Sequence, residues 1–197
     1  MKRIALLSVL LMLIAVPVFA ASPNYVALKL GGYLPQSSDM EEFDNSFYGE
    51  LGFGHYFNQN IALEMGVGYT KSNASASVSD GGTSVSADLD IEIIPITLGL
   101  KVAAPMGTFE PYATAGVGVY FTTLDASASV SGVGSASASE NDTVFGGYLG
   151  LGGNFNVATN TFLGLEGKYF FAKPSFGDFG DGDIDGILVT ANIGYRF

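Results

Sequence analysis

The sequence predicts an all-β protein: an eight-stranded antiparallel up-and-down transmembrane β-barrel, with strands three to six extended beyond the membrane and an N-terminal signal helix ahead of the barrel. Three observations predict it. Apolar residues alternate with small or polar ones over eight separate segments, the period-two signature of strands with two unlike faces. The connections between those segments are short and long by turns. The 197-residue chain is 48% hydrophobic and only 14% charged, against roughly 25% charged in an average soluble domain, yet beyond residue 20 no apolar run is long enough to cross a bilayer as a helix.

The first twenty residues, "MKRIALLSVLLMLIAVPVFA", stand apart. Lys2 and Arg3 make a basic start, an apolar run follows from Ile4 to about Val16, and Val18-Phe19-Ala20 places small residues at the −3 and −1 positions of a cleavage site. This reads as a secretory signal peptide over 1–20, with one domain over 21–197. A membrane anchor is the competing reading, but the run is short of the ~20 residues a spanning helix needs and Pro17 interrupts its end. Cleavage moves the net charge from −11 to −13, because Lys2 and Arg3 leave and no acid does. So acidic a chain is unsuited to nucleic acid. The absence of cysteine excludes a disulfide framework and any Cys-based metal site.

The strands follow in order. The first runs from about Asn24 to Leu34 and shows Val26, Leu28, Leu30 and Leu34 on one face; the second, about Phe47 to Phe57, shows Leu51 and Phe53. The third, about Ile61 to Thr70, carries Ile61, Leu63, Met65, Val67 and Tyr69, and the fourth, about Ile93 to Val102, carries Ile94, Ile96, Leu98, Leu100 and Val102. The fifth spans about Phe109 to Phe121 with Ala113, Ala115, Val117, Val119 and Phe121; the sixth spans about Val144 to Val157 with Phe145, Leu149, Leu151, Phe155 and Val157. The seventh, about Thr161 to Phe171, shows Leu163, Leu165, Tyr169 and Phe171, and the eighth runs from Ile187 to Phe197.

The opposite face is rich in glycine, among them Gly31, Gly52, Gly54, Gly66, Gly116, Gly164 and Gly194, with a few charges and tyrosines. A solvated exterior would be densely charged, so this face suits a crowded interior, and eight strands enclose a lumen that side chains just fill. The apolar stripe then faces lipid, and closure leaves no unpaired edge within the bilayer. Segments 58–60, 103–108 and 158–160 are short; 35–46, 71–92, 122–143 and 172–186 are long. That asymmetry implies both termini on the periplasmic side and long loops outside.

The stretches "YVALKLGGYLP", "IIPITLGLKV", "FEPYATAGVGVYF", "FLGLEGKYFF" and the terminal "IGYRF" give a resemblance to the small eight-stranded outer-membrane barrels: the OmpA transmembrane domain, the opacity proteins and the OmpX/Ail group. The resemblance covers residues 21–197 end to end. It implies residence in the bacterial outer membrane among lipid and lipopolysaccharide and a role in surface adhesion or envelope structure; no cofactor and no enzymatic activity are expected, because no nucleotide-binding or nucleophile motif appears. The alternative is a small-solute or hydrophobic-molecule channel. The final stretch resembles the C-terminal signal by which such proteins are read by the barrel-assembly machinery, with Ile193, Tyr195 and Phe197 as its alternating apolar positions. With nothing after the barrel, the peptidoglycan-binding domain of full-length OmpA-type proteins is not expected.

By parity Lys29, Glu50, Glu64, Lys101, Glu110, Glu166, Lys168 and Arg196 all point inward, four cations against four carboxylates. Confined charges are costly unless paired, so the set reads as an ion-pair plug, with a gated conduction path as the rival reading. Lys101 and Glu110 flank the 103–108 turn and should face each other, with Glu64 on the strand beside Lys101. "DGDIDG" at 181–186 matches the first half of a calcium loop, but its twelfth position is Asn192 rather than the glutamate such loops require; a solvated acidic loop is the plainer reading. His55, the only histidine, falls near the periplasmic end of the second strand with no catalytic partner.

Beyond the apolar band the polarity inverts. Lys71, Asn73, Ser75, Ser77 and Ser79 continue the outer face of the third strand, while Ala74, Ala76 and Val78 continue the inner. The fourth places Ser86, Asp88, Asp90 and Glu92 outside, the fifth Thr123, Asp125, Ser127 and Ser129, the sixth Ser135, Ser137, Ser139 and Asn141. Such alternation predicts strands rather than loops, turning near Asp80-Gly81-Gly82 and Ser131-Gly132-Val133-Gly134. The resulting sheet resembles the protruding sheet of OmpX-type barrels, and its exposed edges could add a strand from an extracellular protein.

Overall fold

The computed structural model describes residues 24–37, 44–80, 83–130, 132, 134–175 and 182–197. The expected signal peptide, Gly81 and Gly82, Ser131, Val133 and Asp181 lie outside the described residues. Eight strands form one closed antiparallel ring in chain order: β1 (Asn24–Pro35), β2 (Ser46–Tyr56), β3 (Ile61–Asp80), β4 (Thr83–Ala103), β5 (Phe109–Val130), β6 (Gly134–Asn156), β7 (Thr161–Ala172) and β8 (Gly186–Arg196). β1 and β8 pair from Tyr25↔Arg196 to Pro35↔Gly186, which closes the ring. Phe197 extends that seam: its N–H donates to the Asn24 carbonyl at 2.9 Å and its carbonyl accepts from the Asn24 N–H at 3.0 Å.

Alternation along each strand sends one set of side chains outward and the other in. The outward rings of Phe47 on β2 and Phe57 just past its end, and of Phe145 and Phe155 on β6, are more than half exposed. In both strands ten residues separate the two rings. At about 3.3 Å per residue and a tilt near 40°, that is roughly 25 Å, the height of the apolar band of an outer-membrane barrel. Tyr69, Phe121, Tyr169 and Phe171 stand at the level of Phe47 and Phe145, whereas Phe109, Tyr195 and Phe197 stand at the level of Phe57 and Phe155.

β1, β2, β7 and β8 are 11 or 12 residues long, while β3 to β6 have 20 to 23. Half of the ring therefore continues past the upper aromatic level by nine to eleven residues per strand, roughly another 25 Å. The pairing is continuous, from Ala76↔Ala87 on β3–β4 to Ala128↔Ala136 on β5–β6, and Asp80↔Thr83 and Val130↔Gly134 are the last pairs before the turns.

The inward glycines leave hollows that aromatic rings fill from the next strand. Tyr25 lies opposite Gly54, Tyr112 opposite Gly152, Tyr148 opposite Gly116 and Phe162 opposite Gly194. A Cβ at any of these four glycines would stand only 2.1–2.6 Å from its ring. Glycine and aromatic thus act as one cross-strand unit in which the ring covers the bare backbone.

Candidate functional site

The lumen is filled in three layers. Nearest the chain ends, Tyr25, Ala27, Tyr56, Ala62, Ala103, Tyr112 and Phe162 pack together. At the opposite mouth, a second apolar cluster gathers Tyr33, Tyr48, Ile91, Ile93, Tyr120, Leu124, Tyr148, Phe170 and Leu188. Ile184, from the β7–β8 connection, joins it from above at 1% exposure, held by its own N–H to the Ala172 carbonyl and by its carbonyl to the Tyr33 hydroxyl.

Between these clusters lies the charged layer. Lys29 Nζ stands 2.7 Å from Glu64 Oε1, 3.0 Å from Glu50 Oε1 and 3.2 Å from Glu166 Oε1. Lys168 Nζ reaches Glu50 at 3.0 Å and Glu166 at 3.3 Å. Below them Arg196 meets Glu110 at 3.1 Å. Each carboxylate also accepts from a tyrosine hydroxyl: Tyr25 to Glu64, Tyr48 to Glu50 at 2.6 Å, Tyr112 to Glu166 at 3.1 Å and Tyr56 to Glu110 at 2.9 Å. Charge pairing and hydrogen bonding together meet the desolvation cost of burying these groups. The four tyrosines share the inward parity of the charges, a signal present in the sequence but not used there.

The expected pairing of Lys101 is corrected. Lys101 sits opposite Thr114, and Glu110 opposite Asn154, so the two do not face each other across the turn. They approach diagonally at 3.9 Å, and the Lys101 ammonium lies 3.9 Å from the centre of the Tyr112 ring, a cation–π contact. Glu64 is on the strand beside Lys101, as expected, and its direct contacts are Lys29 and Tyr25. The offset follows from where the chain turns: Met106 bridges Phe109 in register with Ala103↔Tyr112, so the hairpin centres on Gly107-Thr108, two residues beyond the middle of 103–108.

A void of about 10 Å³, lined by Tyr48, Glu50, Thr97, Tyr120, Lys168 and Phe170 among others, remains between the charged layer and the upper aromatics. That is room for about one water. Asp183 pairs with Lys173 at 3.0 Å, and Asp185 accepts from the Tyr169 hydroxyl at 2.9 Å and the Ala172 N–H at 3.2 Å. These two aspartates of "DGDIDG" therefore hold Ile184 in the mouth. His55 Nδ1 stands 2.8 Å from Asn24 Oδ1, and its ring meets Phe57 edge-on.

Above the mouth, the outer face of the protruding sheet carries the polar rows Lys71–Glu92–Thr123–Asn141 and Asn73–Asp90–Asp125–Ser139, then Ser75–Asp88–Ser127–Ser137. Lys71 and Asp90 pair at 2.8 Å, and that hydrogen bond raises the Lys71 ammonium above its ordinary pKa. The inner face runs from buried Ser72, Ile91 and Leu124 at the mouth to exposed Ala76, Ala87, Ala128 and Ala136 higher up. Among the described residues, β6 pairs with β7 only from Gly146 onward, and β3 pairs with β2 only as far as Thr70. At the β3 edge the Asp44 N–H also donates to the Asn73 carbonyl at 3.0 Å and the Ser72 hydroxyl to the Ser46 hydroxyl at 2.8 Å, and at the β6 edge the Ser175 N–H donates to the Asp142 carboxylate at 2.6 Å.

A sealed, lipid-belted ring of eight strands with long strands on one side and tight turns on the other defines a transmembrane barrel of the outer-membrane type. The chain belongs to the outer membrane protein beta-barrel domain family, whose profile matches residues 6–197. Among solved structures, it is similar to Neisserial surface protein A, at 16% identity over 88% of this chain and 97% of that one, with a TM-score of 0.63. It is also similar to Ail, the attachment invasion locus protein of Yersinia pestis, in its complex with the heparin analogue sucrose octasulfate, at 16% identity over 90% and 100% of the two chains and a TM-score of 0.53. A major outer membrane protein of Thermus thermophilus matches at 17% identity over 90% and 100%, with a TM-score of 0.52. No curated protein matches the sequence.

Proposed function

We propose that this protein is a surface interaction barrel: the lipid-embedded ring is an anchor, and the four-stranded sheet above it is the binding element. The observation that carries this reading is the continuation of β3 to β6 past the aromatic belt while β2 and β7 stop at it, which leaves two strands paired, among the described residues, on one side only. Backbone groups alternate in direction along a strand, so the Asn73 carbonyl, which accepts from Asp44, marks the odd-numbered residues of β3 as those aimed at the open side. Ser75 and Ser77 follow in that series. An extended segment from an extracellular protein can join there as a further strand, its specificity set by the side chains on alternate faces. The sheet projects outward from the cell, with the termini periplasmic, as the long-strand side of such barrels does.

The eight luminal charges serve the anchor rather than a reaction. Paired with one another and with tyrosine hydroxyls, they stiffen and seal it. A sulfated saccharide such as the sucrose octasulfate bound to Ail suits this sheet poorly, because its outer face presents Asp88, Asp90, Asp125 and Glu92. A protein strand does not meet that repulsion, since hydrogen bonding runs along the edge.

Amide hydrogen exchange in the folded barrel tests the reading. Protection is expected through 72–80, 83–92, 122–130 and 134–143, weakest at alternate residues of β3 and β6. Uniformly rapid exchange across these segments would make them loops and remove the binding edge.

A further inference from the structure

β3 carries "NASASV" at 73–78, and β5 carries "DASASV" at 125–130. The two repeats flank β4 in matching register, Asn73 and Asp125 both opposite Asp90, Ala76 and Ala128 both opposite Ala87. β5 is already paired on its far side with Ser135–Ser139 of β6, serine on serine and alanine on alanine. β3 thus repeats a strand that accepts a Ser/Ala partner, and its own far side has no described strand beside it above Thr70.

Over two stretches the edge strands also lack the usual guards. Open sheet edges are commonly protected by lysine, proline or a bulge, yet neither Asn73–Ser77 nor Ser135–Ser139 contains a charge or a proline. The acids of the outer face, Asp88, Asp90 and Asp125, sit on the two central strands. On the inner face, the row Ala76–Ala87–Ala128–Ala136 is exposed, an apolar surface turned towards the space above the barrel mouth.

We infer that the strand partner is a second copy of this chain anchored in an opposed membrane, the two half-rings closing into one ring of eight strands above their barrels. The inference rests on the edge-binding reading above and names its partner. Topology selects this arrangement. Strand directions alternate from β3 to β6, so a copy turned end for end about an axis across the barrel sets its β3 antiparallel to the first β3 and its β6 antiparallel to the first β6. Both open edges are paired at once, and the outer faces stay outside. Two copies in one membrane can join only β3 to β6, and the β1, β2, β7 and β8 walls below the open sides hold the two half-rings apart, so both joints cannot form at once.

The sequence pattern is self-complementary in that orientation. Antiparallel pairing of β3 with itself about Ala76 places Ser75 against Ser77, keeping serine outside and alanine inside. The palindrome Ser-Ala-Ser-Ala-Ser at 135–139 allows the same on β6. The alanine faces come together inside the ring, where their small side chains let opposite walls approach. An isologous contact of this kind closes on itself and gives a pair rather than a filament. The membranes are then held apart by roughly the length of the overlapping strands, about 25 Å, so contact requires surfaces without long polysaccharide.

The test uses the barrel reconstituted into two differently labelled populations of phosphatidylcholine vesicles. Vesicles of the wild type should dock, and Ser75→Lys with Ser137→Lys should reduce docking at least tenfold while the heat-dependent gel migration of the folded barrel is unchanged. A cysteine at Ser75 should crosslink, between vesicles, to one at Ser77 of another copy, and Ser137→Cys to Ser137→Cys. Mixed β3–β6 crosslinks within one vesicle population, or docking that survives the lysines, would overturn the closure. Vesicles that stay apart while the synthetic peptide GSASASE still binds the wild type, and not the lysine variant, would overturn self-association and leave the edge reading standing. Failure of both would remove both.

Discussion

Replacing Lys29 by methionine tests the charged layer most directly. Its ammonium lies within 3.2 Å of three carboxylates, all at most 4% exposed. Without it Glu50 and Glu166 still share Lys168, but Glu64 keeps only the Tyr25 hydroxyl. Breaking a buried pair from one side costs about 3–5 kcal/mol, because the abandoned charge remains desolvated. Proton uptake sets a ceiling on that cost. Neutralising a glutamate of ordinary pKa near 4.3 takes about 3.7 kcal/mol at pH 7 and about 1 kcal/mol at pH 5. The folded variant then binds a proton that its unfolded chain lacks, so its deficit shrinks as pH falls. Urea unfolding in detergent micelles should show Lys29→Met less stable by about 3–4 kcal/mol at pH 7 and by about 1 kcal/mol at pH 5. Adding Glu64→Gln should recover most of the loss at pH 7. A deficit below about 1 kcal/mol at pH 7, or one indifferent to pH, would show that the layer is wet and the pairing unimportant.

Two further outcomes follow from local geometry. A Cβ at Gly31 would stand 1.9 Å from the Val189 carbonyl oxygen, backbone of β8, whereas one at Gly167 meets nothing within 4 Å. Gly31→Ala should therefore cost on the order of 3 kcal/mol and Gly167→Ala leave stability within about 0.5 kcal/mol, as measured by the same unfolding; equal effects would contradict the tight β1–β8 approach. Removing Phe197 should lower the amount of folded barrel in outer-membrane fractions far more than His55→Ala does, since Phe197 makes two backbone hydrogen bonds at the closing seam and His55 a single side-chain one. Equal recovery of the two variants would remove the role given to the terminal residues.

The strands were legible because their signal is local. Period two needs only neighbours along the chain, and Asn24–Leu34 as read differs from the observed β1 by a single residue at one end. The extension of β3 to β6 was legible for the same reason: the inversion from apolar to Ser and Asp at Lys71 and Thr123 reports a change of solvent on the outer face without a break in alternation. Direction into the lumen was likewise local. Partnership within it was not. Lys29 meets Glu166 across 137 residues of sequence, and which luminal charges share a level depends on the stagger accumulated over all eight strands and on the closure of the ring. That global quantity gave Glu64 to Lys29, while the place of the turn set Lys101 diagonally from Glu110 and over the Tyr112 ring. It also set Tyr25 over Gly54 and Phe162 over Gly194. Alternation along the chain decides which face a residue takes, and only the closed ring decides whom it meets there.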